Sequence, residues 1–199
     1  LPQLMIGFHV PMLNADLDEE SAWEPYALEV LAGILDGGDG ARLSSQLVRG
    51  DEIAAAASAD YRFAQRAAGL FTLGGTPARD RDVAELEEAL LAQIDALRNA
   101  PVTTQELERV KRQVVAAEVY QRDSVFYQAM QIGLYETIGL DWRRLDEYVP
   151  GVRAITAEQV QTVARKYLTR DRMTLARLDP LPMDDSTTAQ GAGEVSHVR

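Results

Sequence analysis

The chain has 199 residues, a formal net charge of -11, no cysteine and a hydrophobic fraction of 46%. The apolar residues are numerous enough to form the hydrophobic core of one domain. The absence of cysteine excludes disulfides and thiolate metal sites. Without a run of Lys or Arg, nucleic acid is not an expected partner. A net negative charge of this size usually serves solubility. The alternative is that its electrostatic field attracts basic substrates.

The N-terminal part predicts a strand, a helix and a short second helix. Residues 2–10 are apolar between two prolines and predict a strand. A polar loop leads to residues 21–24, whose capping-box spacing opens a helix, and the glycine-rich residues 37–40 end it. A short helix over residues 41–48 and a turn follow. Because residues 2–10 lack a basic leader, we expect the chain to be a piece of a longer protein.

Two adjacent segments predict an antiparallel hairpin. Residues 53–63 predict a strand although alanine, which dominates the segment, is a poor strand former. Residues 68–74 are a clearer strand, and the turn is expected around residues 64–67.

The second half is mainly helical. Amphipathic periodicity predicts helices over residues 83–97, 103–139, 142–149 and 156–168. The second of these is much longer than the mean of about 11 residues, so a break is expected near Asp123 and Ser124. The pair Pro150-Gly151 is expected to end the third.

Residues 173–178 predict the last strand, which completes an α+β fold with an antiparallel sheet packed by helices on one face. We therefore expect a single domain over residues 1–178 and a disordered tail over residues 179–199. No apolar run approaches the roughly 20 residues of a membrane span, so a soluble protein is expected. The absence of cysteine is compatible with either the cytoplasm or the periplasm of a bacterium.

The residues offer no complete catalytic or metal site. Zinc hydrolysis needs three protein ligands and an open position for water. The histidines are His9, in a predicted strand, and His197, in the tail, and neither has a Glu and a second His beside it. Ser44 and Ser45 lie in no nucleophile elbow, and the glycine-rich residues 37–42 lack the Lys-Ser/Thr pair of a P-loop. We therefore assign no catalytic residue and no metal ligand to this chain.

Several aromatic residues fall in the predicted helices of the second half. Core packing is the preferred interpretation, and a partner surface is the alternative. These residues are Tyr120, Phe126, Tyr127, Tyr135, Trp142 and Tyr148.

Four stretches, in order and spacing, carry a resemblance to a known family. They are PQLMIGFHVP, AWEPYALEVLAGILDGGDGARLSSQLVR, GLFTLGGTPARDRDVAELEEALLAQIDALRNAPVTTQELERVKRQVV and VRAITAEQVQTVARKYLTRDRMTLARLDP. Together they resemble the second, non-zinc domain of peptidase family M16, the zinc proteases of the pitrilysin and mitochondrial-processing-peptidase type.

The resemblance implies a domain that does not itself catalyse. In this family two halves enclose an unfolded peptide, and the half with an inverted HxxEH motif carries the zinc. Zinc is therefore expected in a partner half, in the same polypeptide or a separate chain, and the expected assembly is a dimer of halves. A purely structural or assembly module is the alternative, and the missing motifs argue against an independent hydrolase.

The resemblance also implies possible substrate contacts. Many members use an Arg and a Tyr of this domain to stabilise the oxyanion at the scissile carbonyl. The corresponding positions here fall at Val48 and about Ala55, so the pair cannot be carried over. Arg49 lies one residue after the position expected for the Arg and is a candidate substrate contact. The simpler interpretation is a solvated arginine at a helix end. The family also binds peptides by strand addition, and residues 53–63 are either such an edge or an internal strand.

Overall fold

The computed structural model describes residues 1–181 of the 199-residue chain. The strands are β1 (Gln3–Val10), β2 (Ala54–Tyr61), β3 (Gly69–Pro77) and β4 (Met173–Leu178). The α-helices are α1 (Glu24–Asp36), α2 (Val83–Asn99), α3 (Thr104–Gln121), α4 (Val125–Thr137), α5 (Tyr148–Ala154) and α6 (Ala157–Tyr167). A π-helical segment covers Leu43–Val48, and 3-10 segments cover Trp142–Glu147 and Arg170–Arg172. Residues 182–199, which include His197 and most of the predicted tail, lie outside the described residues.

The strands of the described part form one antiparallel sheet in the order β2-β3-β1-β4. The central strand β1 pairs with β3 and β4, so that Phe8 lies opposite Phe71 on one side and Met173 on the other. Alternate β1 residues such as Ile6 and Phe8 are buried under the helices, because successive strand side chains point to opposite faces. The predicted α+β class is confirmed.

The alanine-rich segment forms the strand β2, as predicted. Its last residue, Tyr61, stacks on Phe71 of β3 with the ring centroids 6.2 Å apart. A register irregularity between Ala54 and Ala56 lies at the other end of the strand. Pairing with β3 therefore outweighs the low strand propensity of alanine.

Helices α1 and α3 approach closely at a glycine. A Cβ added at Gly33 would lie 2.5 Å from Cγ1 of Val110, which no real contact permits. Val110 and the α1 side chains around Gly33 belong to the same buried cluster. A larger residue at position 33 would therefore push α3 away from the core.

Two of the three predicted capping boxes are confirmed. The hydroxyl of Thr103 accepts from the amide of Glu106 at 3.2 Å, and the hydroxyl of Thr156 accepts from the amide of Gln159 at 3.2 Å. The reciprocal side-chain bonds are present at both helices. The break predicted near Asp123 and Ser124 is also confirmed, since α3 ends before them and α4 begins after them.

The capping box predicted at Ser21 is wrong. The N-cap of α1 is Trp23, which makes no side-chain cap, and Pro25 in the first turn has no amide hydrogen to satisfy. Glu24 is instead buried, where it accepts hydrogen bonds from Lys166 Nζ at 2.6 Å and from the hydroxyl of Tyr167. It joins α1 to α6 rather than capping its own helix.

The helix end predicted at Pro150-Gly151 is also wrong, because both residues lie inside α5. Pro150 occupies the first turn, where an amide hydrogen would have no partner within the helix. Gly151 packs under an aromatic ring: an added Cβ would lie 2.4 Å from Cε1 of Tyr26. The glycine is required by packing rather than by a turn. Within residues 1–181, no helix combines the length and hydropathy needed to cross a membrane.

Candidate functional site

The described residues do not fit a zinc ion. Within residues 1–181, no three His, Cys, Asp or Glu side chains lie close enough together to hold a metal. His9 is exposed on β1, opposite Leu70 of β3. Because a catalytic zinc site needs three protein ligands, no chemical step can be assigned to zinc held by these residues.

Arg49 lies at the end of the π-helical segment and is exposed. Its guanidinium donates a hydrogen bond to the carbonyl oxygen of Asp39, in the glycine-rich loop. The loop ends α1 as predicted, because the amide of Gly37 donates to the carbonyl of Gly33 at 2.8 Å and Gly38 has a φ of 86°. Arg49 therefore holds this loop, and its contact with a substrate stays a prediction.

The first tyrosine after Arg49 is used by the fold. Tyr61 is buried at the end of β2, and its hydroxyl donates to the carbonyl oxygen of Pro11 at 2.8 Å. Its phenol thus anchors the end of the hairpin to the segment after β1.

Strand β2 forms one edge of the sheet. Its outer side is partly occupied, since the amide of Ala59 donates to Oδ2 of Asp36 at 3.1 Å. Outward and inward amides alternate along a paired strand, so the amides of Ala57 and Tyr61 point to the same outer side as that of Ala59. Asp36 therefore occupies the middle of this edge, and Tyr61 at its end is buried.

The sheet face turned away from the helices is open and carries small or uncharged side chains, Asp60 excepted. Met5, Leu70 and Leu178 are large apolar residues on this face, with 59%, 42% and 54% of their surface exposed. The pleat places them on one face with Gly7, His9, Thr72, Gly74, Ser58, Asp60, Thr174 and Ala176.

The hairpin of α3 and α4 exposes a large apolar surface, which we call the hairpin surface. Its residues, all exposed by more than a third, are Val119, Tyr120, Val125, Phe126, Met130, Ile132, Leu134 and Trp142. Tyr135 is the buried residue of α4. The core interpretation is therefore wrong for Tyr120, Phe126 and Trp142, whose side chains are exposed.

Beneath the hairpin lies a cavity of about 660 Å³. Its walls come from α1, the loop between β2 and β3, the hairpin and α5. Glu29 of α1 lies in it, and its Oε1 accepts a hydrogen bond from the hydroxyl of Tyr148 at 3.1 Å. Burial raises the pKa of Glu29 to about 7; the bond from Tyr148 opposes this shift and the carboxylate of Asp60 adds to it.

A second carboxylate in the cavity, that of Glu118, already accepts hydrogen bonds from two side chains. Oε2 of Glu118 accepts from the hydroxyl of Tyr127 at 3.1 Å, and its Oε1 accepts from Nε of Arg122 at 2.9 Å. Arg122 continues to Asp146 at 3.2 Å. This chain of contacts ties α3, α4 and the following 3-10 segment together.

Sequence reasoning missed this cavity. The available signal was Glu29 itself, which is the one charged residue between Glu24 and Asp36 in an otherwise apolar helix. An isolated charge in such a run has either a buried partner or a ligand-facing role. The partner, Tyr148, lies 119 positions away in the chain.

The chain belongs to a family of non-catalytic peptidase domains: the model of the peptidase M16 inactive domain matches residues 1–114. An uncharacterized zinc protease of Bacillus subtilis, YmxG, is 29% identical over 156 residues, which cover 78% of this chain and 37% of the relative. The predicted resemblance is confirmed.

Solved structures share the fold. A protease from Helicobacter pylori superposes with a TM-score of 0.80 at 20% identity and covers 90% of this chain, but only 41% of its own length is matched. An inactive peptidase domain from Bordetella parapertussis superposes with a TM-score of 0.78 at 22% identity, over 92% of this chain and 94% of that one. The chain thus spans less than half the length of the Bacillus and Helicobacter proteins.

Proposed function

We propose that this chain is the non-catalytic half of a two-part zinc endopeptidase, and that it closes a peptide-binding chamber over a zinc-bearing half. The observation that carries the proposal is the hairpin surface on a domain whose described residues do not fit zinc. Exposed large apolar side chains on successive turns of one helix, such as Phe126 and Met130, are typical of a protein-protein contact. Zinc and the chemical step belong to the partner half, which is recognised by its HxxEH motif.

The occupant of the hairpin surface is that zinc-bearing half. Since this chain spans 37% of the Bacillus relative and 41% of the Helicobacter protein, each of those proteins has room for a second unit of similar size. An exposed helix is a surface on which such a unit can dock through large apolar side chains, with Phe126 and Tyr120 as the aromatic anchors.

Gly133 gives independent support for docking at α4. It lies inside the helix, and an added Cβ would meet no atom within 4 Å. A glycine there costs about 1 kcal/mol of helix stability relative to alanine, and nothing within residues 1–181 requires it. Close approach by a partner backbone provides the missing reason, because a glycine lets two helices come closer together.

The substrate is an unfolded peptide, held on this half by the β2 edge and the open sheet face. A peptide backbone can bond to an outward amide such as that of Ala57 regardless of its sequence. Asp36 already occupies the amide of Ala59, which limits the length of such pairing. Arg49, at the end of the π-helical segment, is the candidate side-chain contact with the peptide.

Phe126→Asp tests the docking surface. Phe126 is 79% exposed, so the change leaves the core of the isolated domain intact, whereas an acid in an apolar interface loses the anchor and buries a charge. We expect binding to the zinc-bearing M16 half of the same organism to weaken by at least tenfold in titration calorimetry. The same assay with Gly133→Leu should show a comparable loss.

Leu181→Asp is the matched control, since Leu181 is 88% exposed and lies outside the hairpin surface. It adds the same charge and should bind like the unmodified chain. Equal binding by Phe126→Asp and Leu181→Asp would contradict docking at α4. Absence of any complex between the unmodified chain and the zinc-bearing half would leave a structural or assembly module instead.

A further inference from the structure

The cavity under the hairpin has the size and lining of a ligand site. Its volume of about 660 Å³ lies in the range of small-molecule pockets. Apolar side chains such as Val114 and Ile138 form part of the wall, and polar groups converge from α1, α3 and α5. The proposed docking of a partner on the outer face of α4 does not use these inward-facing groups, and neither does zinc chemistry.

The hydroxyls and carboxylates inside the cavity offer hydrogen-bond acceptors, and Gln65, Gln121 and Gln131 in its wall offer amide donors as well. The hydroxyl hydrogens of Tyr148 and Tyr127 are donated to Glu29 and Glu118, and that of Tyr61 is donated to the carbonyl of Pro11. Each hydroxyl oxygen and each carboxylate can still accept. The second oxygen of Glu29 has no protein donor within the described part of the chain. A ligand that bonds to this second oxygen of Glu29 must therefore bring a donor.

The charge inside the cavity is unbalanced at Glu29. Glu118 is paired with Arg122, but Glu29 is bonded only to a neutral phenol, and its raised pKa reflects the cost of ionising it there. A cation beside it would remove that cost. Arg62 and Arg66 line the mouth on the loop after β2 and are exposed, so solvent screens them from the interior.

We propose that this cavity binds the basic side chain of a peptide, an arginine guanidinium or a lysine ammonium, with Glu29 as its ion-pair partner. The apolar stem of such a side chain packs along Val114 and Ile138, and the charged head reaches Glu29 and the tyrosine hydroxyls. Arg62 and Arg66 at the mouth can donate to peptide carbonyls that remain outside. The net charge of -11 favours the approach of a basic peptide.

The cavity lies where a peptide on the β2 edge would leave the strand, because Tyr61 ends β2 and residues 62–66 form the mouth. The inference rests on the proposed peptide-holding role and adds a side-chain preference to it. Its test needs only this chain, so its outcome does not depend on docking of the zinc-bearing half.

The test is a titration with two blocked pentapeptides, acetyl-Ala-Ala-Arg-Ala-Ala-amide and the same peptide with citrulline in place of arginine. Citrulline keeps the shape and removes the charge. Amide cross-peaks of the chain, followed by NMR, should shift saturably around the cavity with the arginine peptide, and the citrulline peptide should bind at least about tenfold more weakly. Glu29→Gln should abolish this difference.

Two further variants complete the test: one is a matched control for the loss of a carboxylate, and the other fills the cavity. Glu88→Gln makes the same change at an exposed carboxylate of α2 and should leave the preference intact. Ala117→Trp fills the cavity from an exposed position and should remove binding of both peptides while the rest of the spectrum is retained. Equal binding of the two peptides, no saturable shift, or an unchanged preference in Glu29→Gln would overturn the proposal.

Discussion

Glu29 shows how one side chain acquires its properties from distant parts of the chain. The groups that face it are Tyr148 from α5, Asp60 and Tyr61 from β2, and Glu118 across the cavity. None of them is a cation, and burial is the main cause of its raised pKa. The folded protein therefore favours the protonated acid.

This raised pKa predicts a pH dependence of stability. The pKa of Glu29 rises from 4.5 to about 7 on folding, so between these values the folded state binds more protons than the unfolded state. The free energy of unfolding should therefore fall as pH rises through this window, by about 1–3 kcal/mol since the cavity admits some solvent. Urea unfolding at pH 5 and pH 8 measures the change.

Glu29→Gln isolates this contribution, because glutamine keeps the shape and cannot ionise. The variant should gain stability relative to the unmodified chain at pH 8 and differ little from it at pH 5. Glu88→Gln should follow the unmodified chain at both pH values. A Glu29→Gln variant with the same pH profile as the unmodified chain would show that the carboxyl does not titrate in this window.

At the scale of elements, two helix glycines are expected to respond in opposite directions to the same change. At Gly33 an added methyl would meet Val110 at 2.5 Å, whereas at Gly133 it would meet nothing within 4 Å. Gly33→Ala should lower the free energy of unfolding of the isolated chain by about 1–3 kcal/mol through overpacking. Gly133→Ala should raise it by about 0.5–1 kcal/mol through helix propensity.

Denaturant unfolding of the isolated chain checks both glycine variants in one experiment. A loss of stability in Gly133→Ala would mean that α4 packs against something in the isolated chain, which contradicts a free hairpin surface. A neutral Gly33→Ala would mean that α1 and α3 can separate without cost.

Elements were more predictable from the sequence than their contacts. Periodicity and capping signals predict the strands and most helices, because hydrogen bonding and local caps act over a few residues. Glu24 was predicted to cap α1, but it accepts hydrogen bonds from Lys166 and Tyr167. These contacts form only when α1 packs against α6. The position of Gly151 under Tyr26 is equally non-local.

The candidate site was less predictable, for the same reason. The missing zinc ligands could be read from the sequence, since two isolated histidines cannot form the HxxEH pattern. The cavity could not, because Glu29, Glu118 and Tyr148 meet only after α1, α3 and α5 have packed. Tyr120 and Phe126 fall in predicted helices, where core packing was preferred, and their exposure depends on tertiary packing.

At the scale of the whole molecule, the described part of the chain has its own hydrophobic core and leaves several surfaces that this core does not use. The sheet and helices bury a large apolar cluster, and a second, smaller one lies around Leu13 and Tyr135, so the domain has its own basis for stability. The hairpin surface, the β2 edge and the cavity that holds Glu29 lie outside this core. Such surfaces are explained together if a zinc-bearing half covers the hairpin and a basic, unfolded peptide lies between the two halves.

The most direct test of this account is cleavage of an unstructured, internally quenched peptide by the zinc-bearing M16 half at fixed zinc, with and without this chain. We predict that turnover appears, or rises by at least tenfold, only when both halves are present, because the chamber is incomplete without this chain. Equal turnover with and without this chain, under conditions where the two proteins form a complex, would contradict the proposed role.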